Sequence, residues 1–346
     1  MQDPEPTSKT GQPPGERVIL AHGNGGRLTR ELVETVFARA LANPWLDSRH
    51  DGARVTLDGA DMVLTTDAFT VQPLEFPGGD IGALAVHGTV NDLAVMGATP
   101  LYLTLSALIE EGQDLAQLQR LIESLGRAAG AAGVSVVTGD TKVVRRGEGG
   151  GLYLAVTGVG RRDLGLILDF DRIRPGDAVL VSGPVGDHGI AVLLAREEFG
   201  LRGDVLSDSA SILPLVKALQ GVPGVGFLRD PTRGGLATVI HELSQGSGHG
   251  IRLREPAVPV REPVRTVCDI LGYDPFYLAC EGRVVAVVDR AHAAAALAAW
   301  RALPQGADAA IIGEVTGDAP GAILETALGG ERFLEELEDD PLPRIC

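Results

Sequence analysis

The chain has 346 residues, enough for two domains of ordinary size and a sizeable core. A formal net charge of −16 argues against nucleic acid or an anionic membrane as a partner, and no apolar run reaches membrane-spanning length. Three cysteines without C-x-x-C spacing make a disulfide framework or structural zinc site a poor fit. Aromatic residues are only 4%, so the core must be built from Val, Leu, Ile and Ala. The 46 glycines imply many tight loops, which suits a backbone that approaches phosphates. With no signal peptide, the expected location is cytoplasmic.

Residues 1–17 read as a disordered leader rich in Pro, Gly, Thr and Ser. Val18-Ile19-Leu20 then runs into His22-Gly23-Asn24-Gly25-Gly26-Arg27, and a helical pattern follows with Leu28, Leu32, Val33, Val36 and Phe37 on one face. Gly25 and Gly26 ahead of a helix can cradle an anion through backbone N–H groups, and an ordinary turn accounts for them equally well. The alternating strand at Met62–Asp67 carries an acid, Asp67, at its exit. The next segment, from Gly82 to Pro100, is an apolar helix interrupted by Asn91 and Asp92, a polar pair that costs free energy unless partnered.

A strand over 101–108 and an amphipathic helix over 115–131 lead to the apolar run 134–137 and then Thr138-Gly139-Asp140-Thr141-Lys142. Asp67, Asp92 and Asp140 each end or interrupt an apolar element, and together can supply hard oxygen ligands to magnesium. Lys142 offers a point charge for phosphate. After a strand over 152–159 and a linker over 161–177, the second half begins with a strand over 178–181 and the glycine-rich stretch 182–189. A helix over 190–199 follows. Arg229-Asp230-Pro231-Thr232-Arg233-Gly234-Gly235, ahead of a helix over 236–244, suggests an anion-binding loop that uses Arg233. Glu281, between Cys280 and Gly282 at the entrance of a strand over 284–288, is a candidate base; a solvated turn is the commoner origin of such an acid, and a structural pairing with Arg283 is a further alternative. Cys268 and Cys280 read as small buried hydrophobes. Pro341 and Pro343 hold the last six residues extended, and the sequence ends on a thiol, Cys346.

These pieces, in this order, resemble the aminoimidazole-ribonucleotide-synthetase-like (PurM-like) superfamily and, within it, the hydrogenase maturation proteins of the HypE family. The carriers are HGNGGR (22–27), TTDAFT (65–70), GTVNDLAVMGATP (88–100), VVTGDTKVV (136–144), SGPVGDHG (182–189), RDPTRGGLA (229–237), ACEGR (279–283) and PRIC (343–346). The terminal PRIC separates this family from its relatives, and a glycine loop lacking Cys and Lys separates it from selenophosphate synthetase.

The resemblance implies an α/β (α+β) fold of two domains, residues 18–162 and 163–340, followed by a mobile tail at 341–346. The first domain would bind ATP and magnesium and pair into a homodimer. The tail's Cys346 would receive a carbamoyl group from a partner carbamoyltransferase. ATP-dependent dehydration would turn it into a thiocyanate, and the cyanide would pass to an iron-holding scaffold complex for nickel–iron hydrogenase assembly. In that reading Cys346, Glu281 and Lys142 are catalytic, and Asp67, Asp92 and Asp140 hold the metal. Asn91, Gly139, Gly25, Gly26 and Arg233 complete the nucleotide site.

Overall fold

The computed structural model describes residues 20–196, 200–201 and 203–337. The predicted leader and the tail with Cys346 therefore lie outside the described residues.

The first half folds around a five-stranded sheet. Its strands are β1 (Ala53–Leu57), β2 (Ala60–Phe69), β5 (Thr99–Glu110), β6 (Ser135–Val144) and β7 (Leu152–Arg161), in the order β1-β2-β7-β5-β6. A small hairpin, β3 (Glu75–Phe76) with β4 (Gly79–Asp80), precedes helix α2 (Ile81–Val95), and α3 (Leu115–Ala132) connects β5 to the parallel β6. The short α1 (Arg27–Leu32) stands ahead of the sheet. Asp80 caps α2 by accepting from the backbone N–H groups of Gly82 and Ala83 at 2.8 and 3.0 Å. Almost every side chain of α2 is buried, because it lies between its own sheet and the second domain.

The second half builds a seven-stranded sheet from β8 (Ala178–Val181), β9 (Val225–Arg229), β10 (Gly250–Arg254), β11 (Val285–Val288), β12 (Ala310–Thr316), β13 (Gly321–Glu325) and β14 (Glu331–Phe333). The order is β14-β13-β10-β12-β8-β11-β9. Helices α4 (Asp187–Ala195), α5 (Leu213–Ala218), α6 (Gly235–Ser247), α7 (Glu262–Leu271) and α8 (Ala293–Arg301) cover it. One apolar cluster runs from Leu84 and Val90 of α2 to Leu180, Ile190 and Leu215 of the second half, so the two α/β units share a core. Burying that surface stabilises their mutual orientation at roughly 25 cal/mol per Å² of apolar area.

The other face of the first sheet is open. Leu64, Tyr102, Leu108, Val137 and Val143 are exposed on or beside it, and β6 is exposed along nearly its whole length. Thr138–Lys142, expected just beyond a strand, is the middle of β6, where every second residue points to that open face.

Candidate active site

Three carboxylates meet where the domains join. Asp51 precedes β1, Asp92 lies on α2 and Asp230 follows β9; one oxygen from each falls within 4.8 Å of the others. The Thr65 hydroxyl on β2 lies 2.7 Å from Asp92 Oδ2 and 2.7 Å from the Asp51 carbonyl. Arg229 closes the rear of the cluster, donating to Asp51 Oδ2 at 2.7 Å and pairing with Glu242 at 2.8 Å. Burial raises the Asp51 carboxyl to about 6 against the pull of Arg229. Burial, with Asp51 adjacent, lifts Asp230 to about 8. Asp92 is pushed well above the usual carboxylate range by burial and by Asp230, Asp51 and Asp67. Asp230 Oδ2 is buried and has no hydrogen-bond partner among the described residues. Crowded acids with an orphaned oxygen are what a divalent cation would relieve, and the all-oxygen donor set fits magnesium.

Asp67 and Glu281 adjoin this cluster. Burial raises Asp67, and the Arg233 guanidinium opposes that rise. Glu281 is buried, and its carboxyl is pushed far up by burial and by Asp208, Asp230 and Asp67, again opposed by Arg233. Arg283 does not pair with Glu281: it sits 3.4 Å from Asp187 and 3.2 Å from Asp208, which removes the plain structural reading of Glu281.

Beside these acids opens a cavity of about 430 Å³, lined in part by Gly25, Thr29, Asp51, Asp230, Arg233 and Thr238. That volume lies in the range of small-molecule sites, roughly 300–1,000 Å³. The glycine loop forms one wall. Gly25 N–H donates to Thr29 Oγ1 at 2.9 Å and Gly26 N–H to Asn24 Oδ1 at 2.8 Å, while Arg233 Nη1 reaches the Gly23 carbonyl at 3.4 Å. The C-terminal segment crosses the same loop. Arg27 N–H donates to the Leu337 carbonyl at 3.2 Å, and Arg30 pairs with Glu336. A Cβ on Gly26 would stand 2.0 Å from the Leu337 carbonyl oxygen, so only glycine permits that crossing.

Residues 49–162 match the family model of the AIR synthase related protein, N-terminal domain, and residues 174–324 match its C-terminal domain. The carbamoyl dehydratase HypE of Azotobacter vinelandii is 50% identical over 331 residues, 95% of this chain and 97% of that protein. The HypE chain of a solved HypE–HypF complex superposes with a TM-score of 0.84 at 43% identity, covering 88% of this chain and 99% of that one. HypE solved in complex with ATP superposes with a TM-score of 0.79 at 46% identity, covering 95% of this chain and 100% of that one. The chain belongs to the HypE family. Its architecture is the two-domain PurM-like fold of that family.

Against the residue set expected for a HypE-family site, the chain gathers some members and separates others. Asp67, Asp92, Glu281, Arg233, Gly25 and Gly26 come together around the cavity and the acidic cluster. Asp140 does not join Asp67 and Asp92 within one chain. The registers align Asp67, Val156, Leu105 and Gly139 in one row across β2, β7, β5 and β6. Three strand spacings of about 4.8 Å place Gly139, and Asp140 next to it, roughly 14 Å from Asp67. Lys142 lies on the same edge strand. Within the chain, Asp51 and Asp230 stand beside Asp92 instead.

Asn91 serves as a tie between the domains. Its amide donates to the Ala210 carbonyl at 3.1 Å and accepts from Ile212 N–H at 2.8 Å. Asp230, read only as part of an anion-binding loop around Arg233, was missed as a member of the acidic cluster, although an acid between two arginines was a signal; Asp51, in a polar loop ahead of a strand, carried none. Cys268 and Cys280 are buried, with their thiols pushed up, Cys268 to about 12.

Proposed function

We propose that this chain is an ATP-dependent carbamoyl dehydratase that converts an S-carbamoyl group on its own Cys346 into a thiocyanate. The cyanide then becomes a ligand in nickel–iron hydrogenase maturation. The observation that carries the reading is the seating of the C-terminal segment: the Leu337 carbonyl accepts from Arg27 N–H and crosses closely over Gly26, beside the cavity that borders the acidic cluster. The nine residues that follow can extend about 30 Å, which is ample to bring Cys346 into the cleft. The relatives support the same reading, since they are named carbamoyl dehydratases and one was solved with ATP.

An amide oxygen is a poor leaving group. The carbamoyl oxygen therefore takes the γ-phosphoryl group of ATP, releasing ADP, as the nitrogen gives one proton to water, and loss of the second N–H proton then expels phosphate as the C≡N bond forms. Magnesium held by Asp51, Asp92 and Asp230, with Asp67 adjacent, would neutralise the charge on the phosphates. Gly25, Gly26 and Arg233 border the space for the triphosphate. Glu281 accepts the nitrogen proton: a carboxyl raised by burial and neighbouring acids is a stronger base once ionised, and proton transfer of this kind contributes about 10²–10⁴-fold.

Asp140, Gly139 and Lys142 enter the site through a homodimer. They lie on an exposed edge strand beside an open, largely apolar sheet face, the kind of surface a second copy covers. Lys142 would then add its charge at the seam. A HypF-like carbamoyltransferase loads the thiol, and a HypC–HypD-like scaffold holding iron receives the cyanide. The reaction belongs to the cytoplasm; among the described residues no helix is long and apolar enough to cross a membrane.

Intact-mass spectrometry tests the reading. The carbamoylated chain should lose one water on addition of magnesium and ATP, and Cys346→Ala should neither accept the carbamoyl group nor form cyanide. A carbamoylated wild-type chain that hydrolyses ATP without losing water would refute the dehydratase assignment.

A further inference from the structure

The loop Val205–Ile212, between α4 and α5, contributes no lining residue to the cavity beside the acidic cluster, yet it governs the backbone on which Glu281 is mounted. Asp208 Oδ1 accepts the Glu281 backbone N–H at 3.0 Å, and the Gly282 N–H also points to this carboxylate. Its other oxygen lies 3.2 Å from Arg283 Nε. One side chain thus engages three consecutive residues, 281 to 283. Two residues on, Ala210 N–H donates to the Glu281 carbonyl at 3.2 Å, and the Asn91 amide reaches the same carbonyl at 3.5 Å.

The fit is close. A Cβ on Gly282 would stand 1.9 Å from the Asp208 carbonyl oxygen, so glycine after the acid is what lets the loop lie against it. Both backbone polar groups of Glu281 are therefore committed to the 208–210 loop, which leaves its side chain as the free vector. That vector brings the carboxyl among Asp208 itself, Asp230, Asp67 and Arg233.

We propose that Asp208 is the positioning residue for Glu281: it fixes the 281–283 turn so that the Glu281 carboxyl is held in the cleft at the reacting nitrogen. This rests on Glu281 being the base of the dehydration. Asp208 touches neither the nucleotide cavity nor the triad Asp51, Asp92 and Asp230, so its loss falls on the proton-transfer step and not on ATP affinity. Displacement of a catalytic group by about 1 Å can cost about 10²-fold in rate.

The experiment is single-turnover dehydration of the full-length chain, carbamoylated by its transferase with carbamoyl phosphate, followed by intact mass at several ATP concentrations. Asp208→Ala should lower the limiting rate about 10²-fold and leave the ATP concentration at half-saturation unchanged. Asp208→Asn keeps an acceptor oxygen for the backbone N–H groups but turns a donor NH2 toward Arg283 Nε, and should recover part of the loss. In the Glu281→Gln background, Asp208→Ala should cost nothing further, because the two act as one unit.

A limiting rate equal to wild type in Asp208→Ala overturns the proposal, as does an additive loss in the double variant or a parallel loss of ATP affinity. If the alanine variant does not fold, Asp208→Glu carries the test. It keeps the charge beside Arg283 but moves the acceptor off the Glu281 amide, and an undiminished rate there overturns the proposal equally. A wild-type rate in Glu281→Gln is a separate failure: it removes the assignment of the base, and Asp208 with it.

Discussion

Thr65 Oγ1 lies 2.7 Å from Asp92 Oδ2, and the same hydroxyl lies 2.7 Å from the Asp51 carbonyl oxygen. A hydroxyl has one proton, and a carbonyl and an ionised carboxylate are both acceptors only. Thr65 can donate to one of them; the second contact closes as a hydrogen bond when Asp92 itself carries a proton. The direction in which burial and the neighbouring acids push Asp92 agrees. Thr65 is thus a hinge between strand β2, the loop before β1 and helix α2, and it sets the spacing of the acids without adding charge.

Thr65→Val keeps the shape of that hinge and removes the hydroxyl. The expected result is a folded protein whose magnesium-dependent ATP affinity falls about tenfold, in line with the roughly 1–3 kcal/mol carried by a buried polar group left unpaired. Calorimetric titration of magnesium-ATP reads it; an unchanged affinity would show that the hydroxyl does not order the site.

The acidic residues separate into two classes by position. Asp51→Asn, Asp92→Asn and Asp230→Asn should each abolish or strongly weaken magnesium-dependent nucleotide binding. Asp140→Asn, on β6 and roughly 14 Å from Asp67, should act only where a second copy is present. Calorimetry run beside light scattering distinguishes the classes. Equal losses from Asp140→Asn in a proven monomer would contradict the geometry.

Gly26→Ala tests the seat of the tail. The added methyl would stand 2.0 Å from the Leu337 carbonyl oxygen, so the C-terminal segment must move. The expected outcome is a modest loss of stability, about 1–3 kcal/mol, with earlier proteolytic cleavage after residue 330 and slower dehydration. A variant with native protease resistance and native turnover would rule out a role for this crossing.

Thiol chemistry gives a simple check on the three cysteines. Cys268 and Cys280 are buried, and the desolvated Cys268 thiol is pushed up to about 12, so neither forms thiolate at pH 8. Alkylation of the native protein at pH 8 should modify Cys346 alone, with the other two reacting after unfolding. Peptide mapping that finds Cys280 labelled in the folded chain would contradict its burial against the Gly186 amide, which donates to its sulfur at 3.2 Å.

Local pattern determined much of this molecule. The alternation over 62–67, the nearly continuous apolar run from 82 and the amphipathic 115–131 specify their elements, although the run expected to stay helical to Pro100 ends at Val95 and its last residues, from Thr99, open β5. The polar pair Asn91–Asp92 inside an apolar helix marked a site, since such groups are costly without partners. The order of the glycine and acid motifs was enough to indicate the family. Tertiary structure decided which acids meet. Asp51 arrives from a loop with no pattern of its own and Asp230 from the other domain, and they reach Asp92 only because the two halves share one core. Asp140, as conspicuous in sequence as Asp67, is carried to the far edge by strand order β2-β7-β5-β6. Asn91 was legible as buried and polar, but only the packing of α2 against the 210–212 loop makes it a clamp. Strand order and domain docking are set by contacts between residues far apart in the chain, and no local spacing encodes them.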